Sequence, residues 1–176
     1  MDRDEAVVLL KSGREGALRW DRLLRSGQAQ LHLEGVQLPA AKLGGVQPQK
    51  AILHQADLNW AELVGADLSE ADLARASLDG ARLSQARLSQ ACLHATHLRR
   101  ADLAGADLSG AELSGANLSA SDLRGAGLRG AILCKARFAN ARISMTQRLA
   151  ASWSSLACWE IPFRRGLPTT EEGRKS

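Results

Sequence analysis

The densest group of metal-ligating side chains in the sequence lies in the segment ACLHATHL, which contains Cys92, His94 and His97. Cysteine and histidine bind zinc, but a zinc site needs three or four ligands that converge on one point. Cys92 and His94 flank Leu93, whereas His97 lies three residues beyond His94, where we expect the chain to have turned onto another side of the fold. We therefore expect ordinary surface residues here, and neither a metal ion nor a cofactor.

No other motif in the sequence is typical of catalysis. It has no glycine-rich phosphate loop and no G-x-S-x-G motif, and its aspartates recur at one place of a repeat rather than as a pair set for acid–base chemistry. The three cysteines, Cys92, Cys134 and Cys158, are few and odd in number, so they do not suggest a framework of paired disulfides. A reducing compartment is therefore favoured. We expect a non-enzymatic cytoplasmic protein.

Composition limits the kind of core that these 176 residues can build. Hydrophobic residues make up 45% of the chain but aromatic residues only 3%, so the core must consist of smaller side chains. The net charge of +4 is too small to indicate direct nucleic-acid binding. No stretch approaches the length of a membrane span, so we expect no membrane association.

The chain repeats every five residues from Ala51 to Met145, as in ADLSE, ADLAR, ADLAG, ADLSG and ANLSA. The first place of the 19 units is alanine 17 times, with Thr96 and Ser121 as exceptions, and the third place is leucine 17 times, followed by Phe138 and Ile143. A period of five makes no stripe on an α-helix, and it would alternate faces on a straight strand. The chain must therefore turn a corner once per unit, with alanine and leucine pointing inward, which predicts an all-β solenoid. Glycine at the fifth place suits such corners.

The A-(D/N)-L-x-x units resemble the pentapeptide-repeat protein family, strongly over 51–145 and in degraded form over 31–50. The resemblance implies a right-handed, four-sided parallel β-helix with four units per coil. Residues twenty apart would then stack in columns. Asp67, Arg87 and Asp107 would form one column of alternating charge, and Glu62, Arg82 and Asp102 another.

The two ends of such a solenoid need covers, because they expose apolar side chains and strand edges. We expect short helices over 1–30 as an N-terminal cap, a helix over 146–163 as a C-terminal cap, and a disordered tail over 164–176. The C-terminal helix is also a candidate homodimer interface, and dimerisation through this end occurs in the family that the chain resembles. The residues for either role are Leu149, Trp153, Leu156 and Trp159.

Charge is uneven along the repeat. Between Asp57 and Asp79 there are six acids and one base, whereas between Arg124 and Arg142 there are five bases and no acid. Neutral drift among solvated positions is one interpretation of this split, and a docking surface for a protein partner is the other. We take the candidate partner-binding residues to be Asp57, Trp60, Glu62, Asp67, Asp72, Asp79, Arg124, Arg129, Arg137 and Arg142.

Two functions compete, and a third, an immunity, effector or regulatory role, shares the sequence features of the first. The first is a non-catalytic scaffold for an unknown protein partner, in which reversal of Asp57, Asp67 and Asp72 to lysine would abolish binding and leave the fold intact. For Trp60 we favour covering by the N-terminal helices, against Trp20, over exposure as an anchor. The second function, implied by the family resemblance, is that of a DNA mimic that binds DNA gyrase. The basic half of the repeat argues against this function.

Overall fold

The computed structural model describes Val7, Val8, Lys11, Ser12, Glu15, residues 33–44 and residues 49–144. Val7, Val8, Lys11 and Glu15 have helical backbone, and Val7 packs against the core. The remainder of the predicted N-terminal cap lies outside the described residues. So do the predicted C-terminal cap and tail, with their candidate residues Leu149, Trp153, Leu156 and Trp159.

The repeat forms a coil of twenty residues. Seventeen parallel β-bridges, from Gln37–Asp57 to Asp122–Arg142, each join the second place of one unit to the second place of the unit twenty residues later. Four five-residue units therefore complete each coil, in agreement with the expected charge columns. Over 33–44 and 49–144 every β residue is an isolated bridge, so each side of the coil is one bridge residue between two corners rather than a longer strand.

Alanine at the first place and leucine at the third place fill the interior. All seventeen third-place leucines of the 51–145 repeat are buried, as are sixteen of its seventeen first-place alanines, while Ala141, Phe138 and Ile143 in the last coil are half-buried. Thr96 and Ser121, which replace alanine, are also buried. Their hydroxyls donate hydrogen bonds to the carbonyl oxygens of Leu73, at 2.9 Å, and Leu118, at 2.7 Å. The inward assignment of both places is confirmed.

The fifth place of the unit is the corner. Its residues have positive φ wherever they are described, from Gly35 at 62° to Asn140 at 59°. Glycine adopts this conformation without steric cost, whereas other residues enter it at a cost. The prediction of a corner at this place is therefore confirmed, although thirteen non-glycine residues also occupy it.

The four units of a coil give the solenoid four faces, which we number by their second-place residues. Face 1 carries residues 52, 72, 92, 112 and 132; face 2 carries 37, 57, 77, 97, 117 and 137; face 3 carries 42, 62, 82, 102, 122 and 142; and face 4 carries 67, 87, 107 and 127. Neighbouring coils lie about 4.8 Å apart, as paired strands do.

Leu103 and Ala106 test the packing of the middle coils, since both are completely buried. Leu103→Ala should lower the free energy of unfolding by about 2–5 kcal/mol, because it removes apolar contact and leaves a cavity. Ala106→Leu should lower it by about 1–3 kcal/mol, because the interior has no room for the added atoms. Urea denaturation measures both effects, and unchanged midpoints would refute the packing described here.

Candidate partner-binding surface

The backbone hydrogen bonds of each unit leave one amide without a backbone acceptor. In the unit 71–75, the N–H groups of Leu73 and Arg75 donate hydrogen bonds to carbonyl oxygens of the next coil, and that of Asp72 donates to the previous coil. The N–H of Ala76, which begins the following unit, donates to the carbonyl oxygen of Leu73 across the corner. The amide at the fourth place, here Ala74, makes no backbone hydrogen bond, and the same holds for the other fourth-place amides from 54 to 129. A backbone donor left without a partner destabilises the fold if water cannot reach it.

Aspartate and asparagine at the second place satisfy this amide. In each case Oδ1 accepts a hydrogen bond from the N–H two residues later, at 3.0–3.2 Å, as in Asp72 to Ala74 and Asn117 to Ser119. All seven second-place Asp and Asn residues of the described repeat do this, namely 57, 67, 72, 102, 107, 117 and 122. The recurrence of aspartate therefore serves the fold.

Asp67 is the most deeply placed of these carboxylates. Its exposed fraction is only 8%, and it accepts hydrogen bonds from Ser69 and from Gln49 and lies 3.5 Å from the Arg87 guanidinium. Burial alone would raise the pKa of Asp67, but the hydrogen bonds from Ser69 and Gln49 and the charge of Arg87 outweigh it and lower the pKa. Asp67 is thus charged, and contacts with Gln49, Ser69 and Arg87 leave little of it exposed on face 4.

These bonds correct one expectation. Reversal of Asp57, Asp67 and Asp72 to lysine cannot leave the fold untouched, because each carboxylate holds a backbone amide of its own corner. The variant would remove three of these bonds and disturb the hydrogen bonds and ion pair of Asp67 as well. Asparagine keeps the acceptor and removes only the charge, so it is the substitution that separates the two effects.

The predicted acidic residues do not gather on one surface. Asp57 and Asp79 lie on face 2, Glu62 on face 3, Asp67 on face 4 and Asp72 on face 1, so the acids encircle the first coils. Two of the six acids found between 57 and 79 have basic partners twenty residues away, as Asp67 has Arg87 and Glu70 has Lys50, at 3.3 Å.

The predicted basic residues divide into two groups. Arg124 and Arg142 both contact Asp122, whose Oδ2 lies 2.6 Å and 3.3 Å from them. The hydrogen bond from Arg124 lowers the pKa of Asp122 and raises the pKa of Arg124. Arg129 and Arg137 lie on face 4 and face 2 and, within 33–44 and 49–144, make no ion pair.

Arg137 belongs to a basic group that the charge count along the chain missed. Face 2 and its two corners also carry Arg99, Arg100 and Lys135, and all four side chains are exposed. The twenty-residue period contained the signal, since it stacks His97, Asn117 and Arg137 in one column beside Arg99. We call the set Arg99, Arg100, Lys135 and Arg137 the basic patch.

Trp60 is exposed, with 61% of its surface accessible, so the expectation that it is covered is wrong. Its ring lies over Gly80, at the same corner of the next coil, where a Cβ would overlap ring atoms Cε3 and Cζ3. The absence of a side chain at Gly80 therefore lets the indole pack directly against the backbone of the next coil. Trp20, the expected cover, lies outside the described residues.

The cysteine and histidine residues remain apart. Cys92 is half-buried on face 1, while His94 and His97 are exposed on faces 1 and 2. His54 lies two coils from His94 and approaches Asp72, with 3.9 Å between Nδ1 and Oδ2. No group of three or more His, Cys, Asp or Glu within the described part of the chain is placed to hold a metal ion. The helical positions described in this structure include no membrane-spanning helix.

Asp107 tests the role of the second-place carboxylate, because its Oδ1 accepts a 3.0 Å bond from Ser109 N and it makes no ion pair with a described residue. Asp107→Ala should lower the free energy of unfolding by about 1 kcal/mol, and Asp107→Asn should lower it much less. Glu112→Ala is the matched control, since Glu112 occupies the same place but has an exposed side chain, whose carboxylate accepts no hydrogen bond from a described backbone amide. Equal losses for Asp107→Ala and Glu112→Ala in urea denaturation would contradict the assignment.

Comparison with known families agrees with the repeat. The family model described as "Pentapeptide repeats" matches in eight copies, over residues 32–69, 51–90, 91–129 and 111–146. The search of curated proteins found no match.

Several solved structures are similar to this chain. The pentapeptide repeat protein alr5209 from Nostoc Pcc 7120 is 36% identical, over 50% of this chain and 84% of its own, with a TM-score of 0.44. Rfr23 from the cyanobacterium Cyanothece 51142 is 27% identical, over 65% and 85%, with a TM-score of 0.35. Full-length QnrB1, a plasmid-mediated fluoroquinolone resistance protein, is 17% identical, over 71% and 73%, with a TM-score of 0.34.

Proposed function

Because the chain belongs to the pentapeptide-repeat family, we propose that it is a non-catalytic scaffold that presents the side chains of a rigid solenoid to a protein partner. The finer architecture proposed with it is a right-handed coil capped by helical segments at 1–30 and 146–163. The C-terminal segment is proposed also as the site of homodimerisation, and the cytoplasm as the location.

The exposure of Trp60 carries the proposal. Trp60 contributes nothing to the leucine–alanine core, and its exposed indole packs over Gly80 of the next coil on the outside of the solenoid. Tryptophan, with tyrosine and arginine, is enriched among the residues that anchor protein interfaces. The described coils bury their leucines and present their second-, fourth- and fifth-place side chains outward, an arrangement that suits binding to a partner.

Mimicry of DNA is the weaker candidate for this chain. A mimic of duplex DNA needs negative charge along its length, because its target grips phosphates. Here arginines pair with Asp67 and Asp122, and face 2 carries the basic patch in its C-terminal half.

Affinity capture tests the scaffold function. The tagged wild-type chain should retain a stoichiometric partner from extracts of its native host, identified by mass spectrometry. Trp60→Gln should reduce that retention at least about fivefold, since a fivefold change corresponds to the loss of one modest contact. The matched control is Gln85→Ala, at an exposed corner between faces 3 and 4, and it should retain the partner fully.

Two results would contradict the proposal. One is the absence of any stoichiometric partner for the wild-type chain, and the other is equal retention by wild type and Trp60→Gln when circular dichroism shows both to be folded. A gyrase supercoiling assay decides the alternative. Weak or absent inhibition is expected, and potent, salt-sensitive inhibition would place DNA mimicry first.

A further inference from the structure

The basic patch occupies the C-terminal half of face 2. Arg99 and Arg100 end the unit 96–100, and Arg137 lies two coils further along the same face, with Lys135 at the corner before it. Asn117 lies between them in the column of Arg137. Two coils correspond to about 10 Å, so four cations surround a small polar area.

These four charges have no acidic partner within the part of the chain that the structure describes. The ion pairs found there involve Lys50, His54, Arg87, Arg124 and Arg142, and none involves the basic patch. On face 2 itself the last acid is Asp79, whose Oδ1 accepts a bond from the backbone N–H of Arg99. Face 2 therefore carries an excess of positive charge that an external anion can neutralise.

Trp60 continues the same surface toward the N-terminal end. It shares a corner column with Gly80 and Arg100, two coils before Arg100 and four coils before Arg137. Four coils span about 19 Å, which is the length of about six residues of extended peptide at about 3.3 Å each. Asp57 and Asp79 lie on face 2 near Trp60, so an acidic group of a ligand is disfavoured at that end.

We propose that face 2 binds an extended acidic segment of a protein partner, whose carboxylates lie over Arg99, Arg100, Lys135 and Arg137 and whose apolar end packs on Trp60. This inference rests on the scaffold function and identifies its surface and the chemistry of its partner. Charge complementarity selects the acidic part, and the exposed indole selects the apolar part.

Nucleic acid fits this surface less well than a peptide does. Its phosphates repeat along its whole length, so a strand that followed face 2 beyond the basic patch would meet Asp57 and Asp79. A protein segment can change from acidic to apolar within a few residues, as the surface requires.

The test titrates the purified full chain with a synthetic peptide of one leucine followed by six glutamates, by calorimetry at low salt. The variant Arg99→Gln/Arg137→Gln removes one fourth-place and one second-place arginine from face 2. The matched control, Lys42→Gln/Arg82→Gln, removes two second-place cations from face 3 and reaches the same net charge. All four of these side chains are exposed, so circular dichroism should not change.

The wild-type chain should bind the peptide, and raising salt to about 0.2 M should weaken binding, since exposed charges are then screened. Arg99→Gln/Arg137→Gln should lose at least about tenfold in affinity, and the control less than about twofold. Trp60→Gln should weaken binding of the leucine-led peptide but not of hexaglutamate alone.

Three outcomes would overturn the inference: no binding by the wild-type chain, equal losses in the two double variants, or tighter binding of a duplex oligonucleotide than of the peptide at the same salt. The two proposals fail separately. If the peptide does not bind but partner capture still depends on Trp60, the scaffold function stands and only the acidic-segment inference is wrong. If no partner is captured, the scaffold function fails whatever the peptide does.

Discussion

The structure depends on one constraint, which is that backbone hydrogen bonds must join residues about twenty apart. The backbone N–H groups at the second, third and fifth places of each unit donate to neighbouring coils. With the backbone held in this way, the side chains at the first and third places point into a narrow interior. Only alanine and leucine fill that space repeatedly, and the corner must take positive φ to keep the coil closed. The five-residue sequence pattern follows from this ladder, and so does the shortage of aromatic residues in the core.

The same ladder decides which surface residues are available for function. It leaves the fourth-place amide without a backbone acceptor, and the second-place aspartate supplies one. Much of the acidic character of the repeat therefore belongs to the fold. Apart from Asn59 and Asp79, the described outward side chains that bond no part of this ladder are at the fourth and fifth places and at second places without Asp or Asn, although the fifth-place backbone itself pairs with the next coil and takes positive φ. Trp60, Arg99, Arg100 and Arg137 all lie at such positions, where a partner can select the side chain.

The sequence alone predicts the inward leucines and alanines and the fifth-place corner, because these follow from a period of five. It does not reveal why aspartate recurs, since the unsatisfied amide becomes evident only when the hydrogen bonds between coils are known. It also misplaces the charges. Reading along the chain suggests an acidic half and a basic half, whereas the coil distributes them around four faces and brings Arg99 and Arg137 together. The exposed indole of Trp60 packs over Gly80, twenty residues away, and this contact appears only when the coil is known.

Amide hydrogen exchange measured by NMR tests the central claim most directly, because it reports each fourth-place N–H separately. The account predicts slow exchange at Ala74, Ala104 and Ser109, which donate to Asp72, Asp102 and Asp107. It predicts much faster exchange at Ser84 and His94, whose second-place residues, arginine and cysteine, accept no such bond. Equal exchange rates at both sets of amides would contradict the account. The second-place aspartates would then have no structural role at the corner and would again be candidates for binding a partner.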